Sequence, residues 1–412
     1  MSSKPVTSAG ATVRQCAILA GGLATRLGAL AAETPKPVLP VGDRPFLGWL
    51  LQEISRFGVE EALLLTGHLS DRVEASVRAI AADLPRPLRL EFTQEPMRAG
   101  TGGALFHARD RLDERFLMCN GDSLFDCNFS RLLAAAASDP EDVVGRVVLR
   151  KLEDASRYGV VETDGDRVVA FRERGAAGVA GVINAGIYLF DRRVLDSVTS
   201  ACSLERDVMP RLAKKGALRG TLGRGYFIDI GIPEDFARAQ EELLQVLRRP
   251  GLFLDRDGVI NVDHGYVGSP ERFEWMPGAR EAIRMATERG WHVFVVTNQA
   301  GVARGHYDEA AVRALHAWME DEVRAAGGTI DDLRYCPYHP EAPLAEYRRD
   351  SDWRKPAPGM LLDLIRAWRL DPARCVMIGD KPIDTTAAAA AGVAGHLFAG
   401  GNLAQFIEPL LS

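Results

Sequence analysis

The chain has 412 residues, too many for one ordinary core and enough for two domains of about 200 residues each. Its 47% hydrophobic and 26% charged residues suit a packed globular protein, and no apolar run reaches the roughly 18 residues that cross a bilayer, which excludes membrane insertion. A net charge of −6 excludes a general nucleic-acid binder and leaves small anionic substrates, held by local cations, as partners.

The opening MSSKPVTSAGATVR is small and polar and lacks the apolar centre of a secretory signal, so residues 1–13 read as a flexible leader. Short apolar runs then follow (CAILAGG, EALLLTG, RFLMCNGD, NAGIYLF), alternating with helical stretches, the pattern of an α/β unit with a mainly parallel sheet covered by helices. After FIDIGIP, the amphipathic helix EDFARAQEELLQVLRR stops at Pro250 and Gly251, and a new strand, GLFLDRD, starts at once. This places a domain over 14–248 and another over 251–412, the second again α/β, with strands at WHVFVVTNQ and RCVMIGD. The cysteines Cys16, Cys119, Cys127, Cys202, Cys336 and Cys375 form no close-set pair and read as reduced thiols of a cytoplasmic protein.

Chemistry first concentrates in LAGGLATRLGALAAETPKPVLPV. Gly21 and Gly22 follow a strand and let backbone N–H groups approach a phosphate, while Arg26 and Lys36 can neutralise a leaving pyrophosphate. Taken alone, the segment could equally be a strand-to-helix turn with surface cations. Downstream, Asp122 and Asp229 stand at strand ends, where two acids can hold one magnesium ion against a triphosphate.

With LAGGLATRL, TPKPVLPV, EPMRAGTGGAL, NGD, NAGIYLF, SLERDVMP and FIDIGIPEDF in order, the chain from about residue 14 to 245 resembles the nucleoside-diphosphate-sugar pyrophosphorylases. The resemblance implies a Rossmann-like nucleotidyltransferase fold of the GT-A type. It also implies in-line attack of a sugar 1-phosphate on the α-phosphorus of a nucleoside triphosphate, with Asp122 and Asp229 holding magnesium. Leu19, Ala20, Gly21, Gly22, Gly100, Thr101 and Gly102 would line the nucleotide, and Asn184 would face the sugar, though an asparagine there can also serve a turn. The family's Glu-Lys pair stands here as Glu173 and Arg174, and arginine can clamp the sugar phosphate bidentately with altered geometry.

In the second half the strand GLFLDRDGVIN ends in Asp255 and Asp257, with Gly258 permitting a sharp turn. One acid can attack phosphorus while the other handles a proton, the division a phosphoaspartyl mechanism needs. A calcium loop is excluded, since DRDGVINVDHGY lacks the spaced oxygen ligands and late glutamate. Thr297 and Asn298, Lys355 and Asp380 supply a hydroxyl, a cation and a third acid.

This order resembles the haloacid dehalogenase superfamily, with its Rossmannoid fold, and within it the heptose bisphosphate phosphatases, on DRDGVINVDHGYV, VVTNQAGVARG, YCPYHP, RKPAPGML and MIGDKPIDTTAAAAAGV. The resemblance implies Asp255 as nucleophile, Asp257 as acid/base, and Thr297 and Lys355 as phosphate ligands. Asp255, Asp257 and Asp380 would surround magnesium, and Asn298, Arg354 and Lys381 would position the substrate. Many relatives hold a structural zinc by Cys-x-His and Cys-x-Cys; here Cys336 pairs with Tyr338, and Ser351 with Trp353, so no zinc is expected and packing should hold that loop.

Within the first family, PVGDRPFLGWLLQEISRFGVEEALLLTGHLSDRVE looks most like the heptose 1-phosphate guanylyltransferases. Removing the 7-phosphate of a heptose 1,7-bisphosphate leaves a heptose 1-phosphate, the acceptor that the first half would activate, with GTP favoured over ATP, CTP and UTP. The resemblances thus imply two consecutive steps toward an NDP-heptose for lipopolysaccharide or another surface polysaccharide. The alternatives are a mannose or glucose 1-phosphate nucleotidyltransferase fused to a phosphatase of another substrate such as histidinol phosphate, or a binding protein in which one site has decayed.

Overall fold

A computed structural model describes residues 13–22, 26–28, 33–67, 69–174 and 178–411, with the side chains of Glu173 and Arg174 outside the description. The chain divides into two compact units between Leu243 and Leu244, inside the helix Pro233–Leu247.

The first unit is built on a nine-stranded sheet. Its strands are β1 (Gln15–Leu19), β2 (Glu61–Thr66), β3 (Arg89–Gln94), β4 (Arg115–Asn120), β6 (Gly145–Leu152), β7 (Gly159–Asp164), β8 (Arg167–Arg174), β9 (Gly181–Asp191) and β10 (Leu218–Gly223). They lie in the order β3-β2-β1-β4-β9-β6-β10-β8-β7, while β5 (Ser123–Phe125) and β11 (Phe227–Asp229) pair apart as an antiparallel ribbon. Residues alternate between faces: Cys16 and Ile18 of β1 enter one core with Leu47, Leu50 and Ile54, whereas Ala17 enters the other with Leu63, Phe116 and Leu105.

The sheet is mixed where a mainly parallel one was expected. β3, β2, β1 and β4 form one parallel set and β6 with β10 another, while β9 between them runs antiparallel to both β4 and β6. The cause is local at β7 and β8, which a two-residue turn joins and which therefore pair antiparallel, since a parallel pair needs a long crossover.

The second unit is a five-stranded, wholly parallel sheet. Its strands, β12 (Gly251–Leu254), β13 (His292–Asn298), β14 (Asp332–Cys336), β15 (Cys375–Gly379) and β16 (Ala394–Leu397), lie in the order β14-β13-β12-β15-β16. Leu252, Leu254, Val293 and Val295 pack under Ile283, Leu315 and Met319 on one face. Phe253, Phe294 and Val296 pack under Met360, Leu364 and Trp368 on the other. Burial of both faces explains why these strands read as continuous apolar runs. No helix among the described residues is long and apolar enough to cross a membrane.

Candidate active sites

The first site opens where β1 and β4 end, at a cavity of about 550 Å³ whose wall includes Leu19, Gly21, Gly22, Gly100 and Thr101. Ala20 and Gly102, expected to line the nucleotide, are not among the residues of this wall. Ala20 is 1% exposed, donating its N–H to Leu65 O (2.9 Å), and Gly102 is buried with its N–H committed to Cys202 O (3.0 Å). Thr101 Oγ1 donates to Glu205 Oε2 (2.7 Å) and accepts from Leu204 N (2.8 Å), so the segment after Ser203 braces the glycine-rich helix start.

The pairing of β5 with β11 sets Asp229 opposite Ser123 and thus beside Asp122, and Ile230 N–H donates to Asp122 O (3.0 Å). Lys36, only 6% exposed, points between the two acids, with Nζ 2.5 Å from Asp122 Oδ2 and 3.4 Å from Asp229 Oδ1. Burial raises the Asp229 carboxyl above its ordinary value and Asp122 adds to this, with Lys36 opposing both. Arg26 belongs to the same cluster: a methyl added at Gly231 would lie 2.9 Å from Asp229 Oδ1, 3.0 Å from Arg26 Nη2 and 3.1 Å from Lys36 Nζ. Two carboxylates converging on one ammonium form a donor set that a hard divalent cation would fit.

Asn184 does not line this cavity. Its Nδ2 donates to Tyr188 OH (2.7 Å) and its Oδ1 accepts from Gly186 N (2.9 Å), at the register shift of β9 against β6. Glu173 and Arg174 end β8, and their side chains lie outside the described residues. The cavity also brings in Glu95, Arg98, Asn120, Glu205 and Gly231, which sequence reasoning did not single out although each sits inside one of the quoted motifs.

In the second unit Asp255 follows β12, its N–H donating to Ile378 O (2.9 Å) and its side chain turned to Lys355 Nζ (3.0 Å from Oδ2). Burial pushes the Asp255 carboxyl up to about 6, against the pull of Lys355, with Asp384 and Asp257 adding to the rise. Asp255, Asp380 and Asp384 each offer a ligand oxygen, all within 4.8 Å of one another. Asp380 Oδ1 is buried with no hydrogen-bond partner among the described residues, so this group could hold a metal ion. Gly258, at φ +89°, abuts the Asp380 carboxylate, and no larger residue fits that turn.

Asp257 was expected among the metal ligands, but its carboxylate stands apart from the acidic group. Arg256 Nη2 donates to both its oxygens (3.0 and 2.9 Å), Asn261 Nδ2 to Oδ1 (3.0 Å) and Gln299 Nε2 to Oδ2 (2.9 Å). Asp384, unremarked in the sequence, takes its place in the acidic group.

Thr297 ends β13, 1% exposed, and its Oγ1 accepts from Gln299 Nε2 (2.9 Å). Asn298 straps the Lys355 loop through two reciprocal bonds, Nδ2 to Lys355 O (3.0 Å) and Lys355 N to Oδ1 (3.1 Å), and thereby holds that cation's backbone in place. Arg354 donates to Tyr338 O (3.2 Å). Lys381 lies 3.1 Å from Asp263 and 3.3 Å from Asp380; burial lowers its pKa, but these two carboxylates raise it further. Around Cys336, Tyr338 and Trp353 pack against the second core, and Arg349 stacks 3.6 Å over the Tyr338 ring.

Comparison with known proteins assigns a family to each part of the chain. Residues 16–246 match the nucleotidyl transferase family and residues 211–392 the haloacid dehalogenase-like hydrolases. A D-glycero-beta-D-manno-heptose-1,7-bisphosphate 7-phosphatase from Rhodopseudomonas palustris is 51% identical over 164 residues, 40% of this chain and 91% of the relative. The like-named protein of Escherichia coli K12 is 44% identical over 144 residues, 35% of this chain and 75% of the relative. Among solved structures, HddC from Yersinia pseudotuberculosis is similar at a TM-score of 0.50 and 29% identity, covering 56% of this chain and all of HddC. The chain is therefore a two-domain enzyme that belongs to the nucleotidyl transferase family through its N-terminal part and to the haloacid dehalogenase-like hydrolases through its C-terminal part.

Proposed function

We propose that this chain performs two consecutive reactions, removing the 7-phosphate of D-glycero-D-manno-heptose 1,7-bisphosphate and then transferring a nucleotidyl group, GMP from GTP, to the resulting heptose 1-phosphate. The observation that carries the reading is the second unit's acid–lysine site, in a chain of which 164 residues are 51% identical to a heptose bisphosphate phosphatase, joined to the cavity of a nucleotidyl-transferase unit. The product of one site has the anomeric phosphate that the other would use as nucleophile.

In the second unit the Asp255 carboxylate would attack the 7-phosphorus, forming an aspartyl phosphate as the bond to the sugar O7 breaks. Asp257 would give its proton to that leaving oxygen and then take one from the water that releases phosphate. Lys355 and Thr297 would hold the phosphate oxygens. In the first unit an oxygen of heptose 1-phosphate would attack the α-phosphorus, the bond to the β-phosphate would break, and Arg26 and Lys36 would hold the departing pyrophosphate. Asp122 with Asp229, and Asp255 with Asp380 and Asp384, would hold Mg²⁺, which supplies charge neutralisation to phosphate oxygens.

The test incubates purified protein and magnesium with each anomer of heptose 1,7-bisphosphate and GTP, ATP, CTP or UTP, following phosphate, pyrophosphate and nucleotide sugar. Phosphate release followed by GDP-heptose is expected. Phosphate without any nucleotide sugar would overturn the coupled reading and send the first domain to mannose and glucose 1-phosphates; no phosphate from either anomer would overturn the heptose assignment.

A further inference from the structure

Arg256 lies between the two reacting acids in the chain and touches both. Its backbone N–H donates to Asp255 Oδ1 (2.7 Å), and its Nη2 bridges the two oxygens of Asp257. It is 0% exposed, among the largest fully buried side chains, and a buried guanidinium loses so much hydration that it is kept only where fixed partners replace the water. Both amino groups have such partners, Nη2 also donating to Val267 O (2.7 Å) and Nη1 facing His316 Nε2 (3.2 Å), while Nε has none among the described residues. Burial, with Arg256 adding to it, pushes the His316 imidazole well below its ordinary range, so the ring is neutral and Nε2 can accept.

The remaining holds on Asp257 are equally built. Asn261, 0% exposed, binds Oδ1. Gln299, 1% exposed, binds Oδ2 while its Oε1 is fixed by Tyr307 OH (2.8 Å) and its Nε2 also reaches Thr297 Oγ1 (2.9 Å). Each carboxylate oxygen thus has two donors, all from side chains that are themselves held. A side chain fixed by three donor groups through four contacts keeps one rotamer, and a proton donor must be placed within a few tenths of an ångström to act on a leaving oxygen.

We propose that Arg256, with Asn261 and Gln299, is the positioning device of the phosphatase half, holding the Asp257 carboxyl in the one orientation from which it serves the leaving oxygen. The inference rests on the acid/base role proposed above for Asp257. The bond to the leaving oxygen breaks as that oxygen takes the Asp257 proton, and the aspartyl phosphate forms on Asp255, so a displaced Asp257 slows formation of the phosphoenzyme only for substrates whose leaving oxygen needs the proton.

The test compares kcat/KM, which covers steps through formation of the phosphoenzyme, for a sugar phosphate and for 4-nitrophenyl phosphate, whose phenolate departs without protonation. The full chain is used, as wild type, Arg256→Met, Arg256→Lys and Gln299→Leu. The sugar phosphate is whichever one wild type hydrolyses, so failure of the heptose assignment changes the substrate and leaves the comparison intact. Arg256→Met is expected to lose about 100-fold on the sugar phosphate and under about fivefold on the aryl phosphate, since general acid catalysis is worth about 10² to 10⁴. Arg256→Lys should recover part of the loss, and Gln299→Leu should lose about tenfold with the same selectivity. Should Arg256→Met fail to fold, Gln299→Leu decides alone, because it leaves the buried charge paired. Equal losses on both substrates, or no loss on either, would overturn the proposal.

Discussion

Lys355 places its ammonium 2.6 Å from Asp384 Oδ1, with both side chains only 1% exposed, and the same nitrogen lies 3.0 Å from Asp255 Oδ2. The lysine therefore ties Asp255, at the strand end, to the acid four residues beyond Asp380. Removing one member of a buried pair leaves an uncompensated charge, which costs about 3 to 5 kcal/mol. Asp384→Ala should destabilise the second unit by about 3 kcal/mol and abolish phosphate release. Urea-dependent proteolysis of the full chain checks it, reading the C-terminal fragment, and an unmoved midpoint would show that the pair does not hold the site together.

The two chemistries should separate cleanly by mutation. Asp255→Asn removes the carboxylate proposed to attack phosphorus and should lower phosphate release by at least about 10⁴-fold, the scale seen when a covalent nucleophile is lost. Nucleotidyl transfer to supplied heptose 1-phosphate should persist. Asp122→Asn should do the reverse, leaving phosphate release and abolishing pyrophosphate release. A protein that merely binds these ligands would keep its behaviour after either change.

Acid should silence the phosphatase earlier than an ordinary aspartate would allow. Because burial pushes Asp255 up to about 6, a proton occupies the nucleophile over a pH range where a free aspartate, near 4, is already ionised. Activity should therefore fall as pH drops through about 6 when magnesium is scarce. Metal and proton compete for the same carboxylates, so raising magnesium should move this acid limb to lower pH. Rate profiles at several magnesium concentrations test the sign; a limb that ignores magnesium would place the titration elsewhere.

The residues that carried most weight in the sequence are those whose local setting advertises them. Asp122, Asp229, Asp255 and Asp380 each stand next to an apolar strand and near a glycine, and the structure brings them together in two groups. Period and burial are local properties, so the strands themselves were readable. Asp384 and Gln299 were not, since each acts through a partner 29 or more positions away: Lys355 for the first, and Asp257, 42 residues distant, for the second. The mixed sheet was hidden for a related reason. An alternating pattern of strands and helices reads as parallel, and only the turn at Gly165 and Asp166 hints that β8 folds back on β7. Ala20 and Gly102 differ from their motif neighbours for the opposite reason: core packing holds the first and the Cys202 carbonyl takes the N–H of the second, facts that motif membership does not carry.

Gly231 offers a test of the first site that leaves every charged group in place. Its hydrogen faces Asp229 Oδ1, Arg26 Nη2 and Lys36 Nζ, and a methyl there would stand 2.9 to 3.1 Å from all of them. Such separations are too short for carbon, so the three side-chain ends must give way by a few tenths of an ångström. The ends are flexible and the backbone is not compressed, so stability should change little. Catalysis should suffer more, because misplacing reacting groups by about 1 Å can cost about 100-fold. Gly231→Ala should thus lower kcat for nucleotidyl transfer by about 10- to 100-fold while melting temperature and phosphate release by the second unit stay at wild-type values. Measuring both activities and the melting curve on one preparation decides the matter: unchanged nucleotidyl transfer would mean that the Arg26–Lys36–Asp229 cluster is not where charge develops during the reaction.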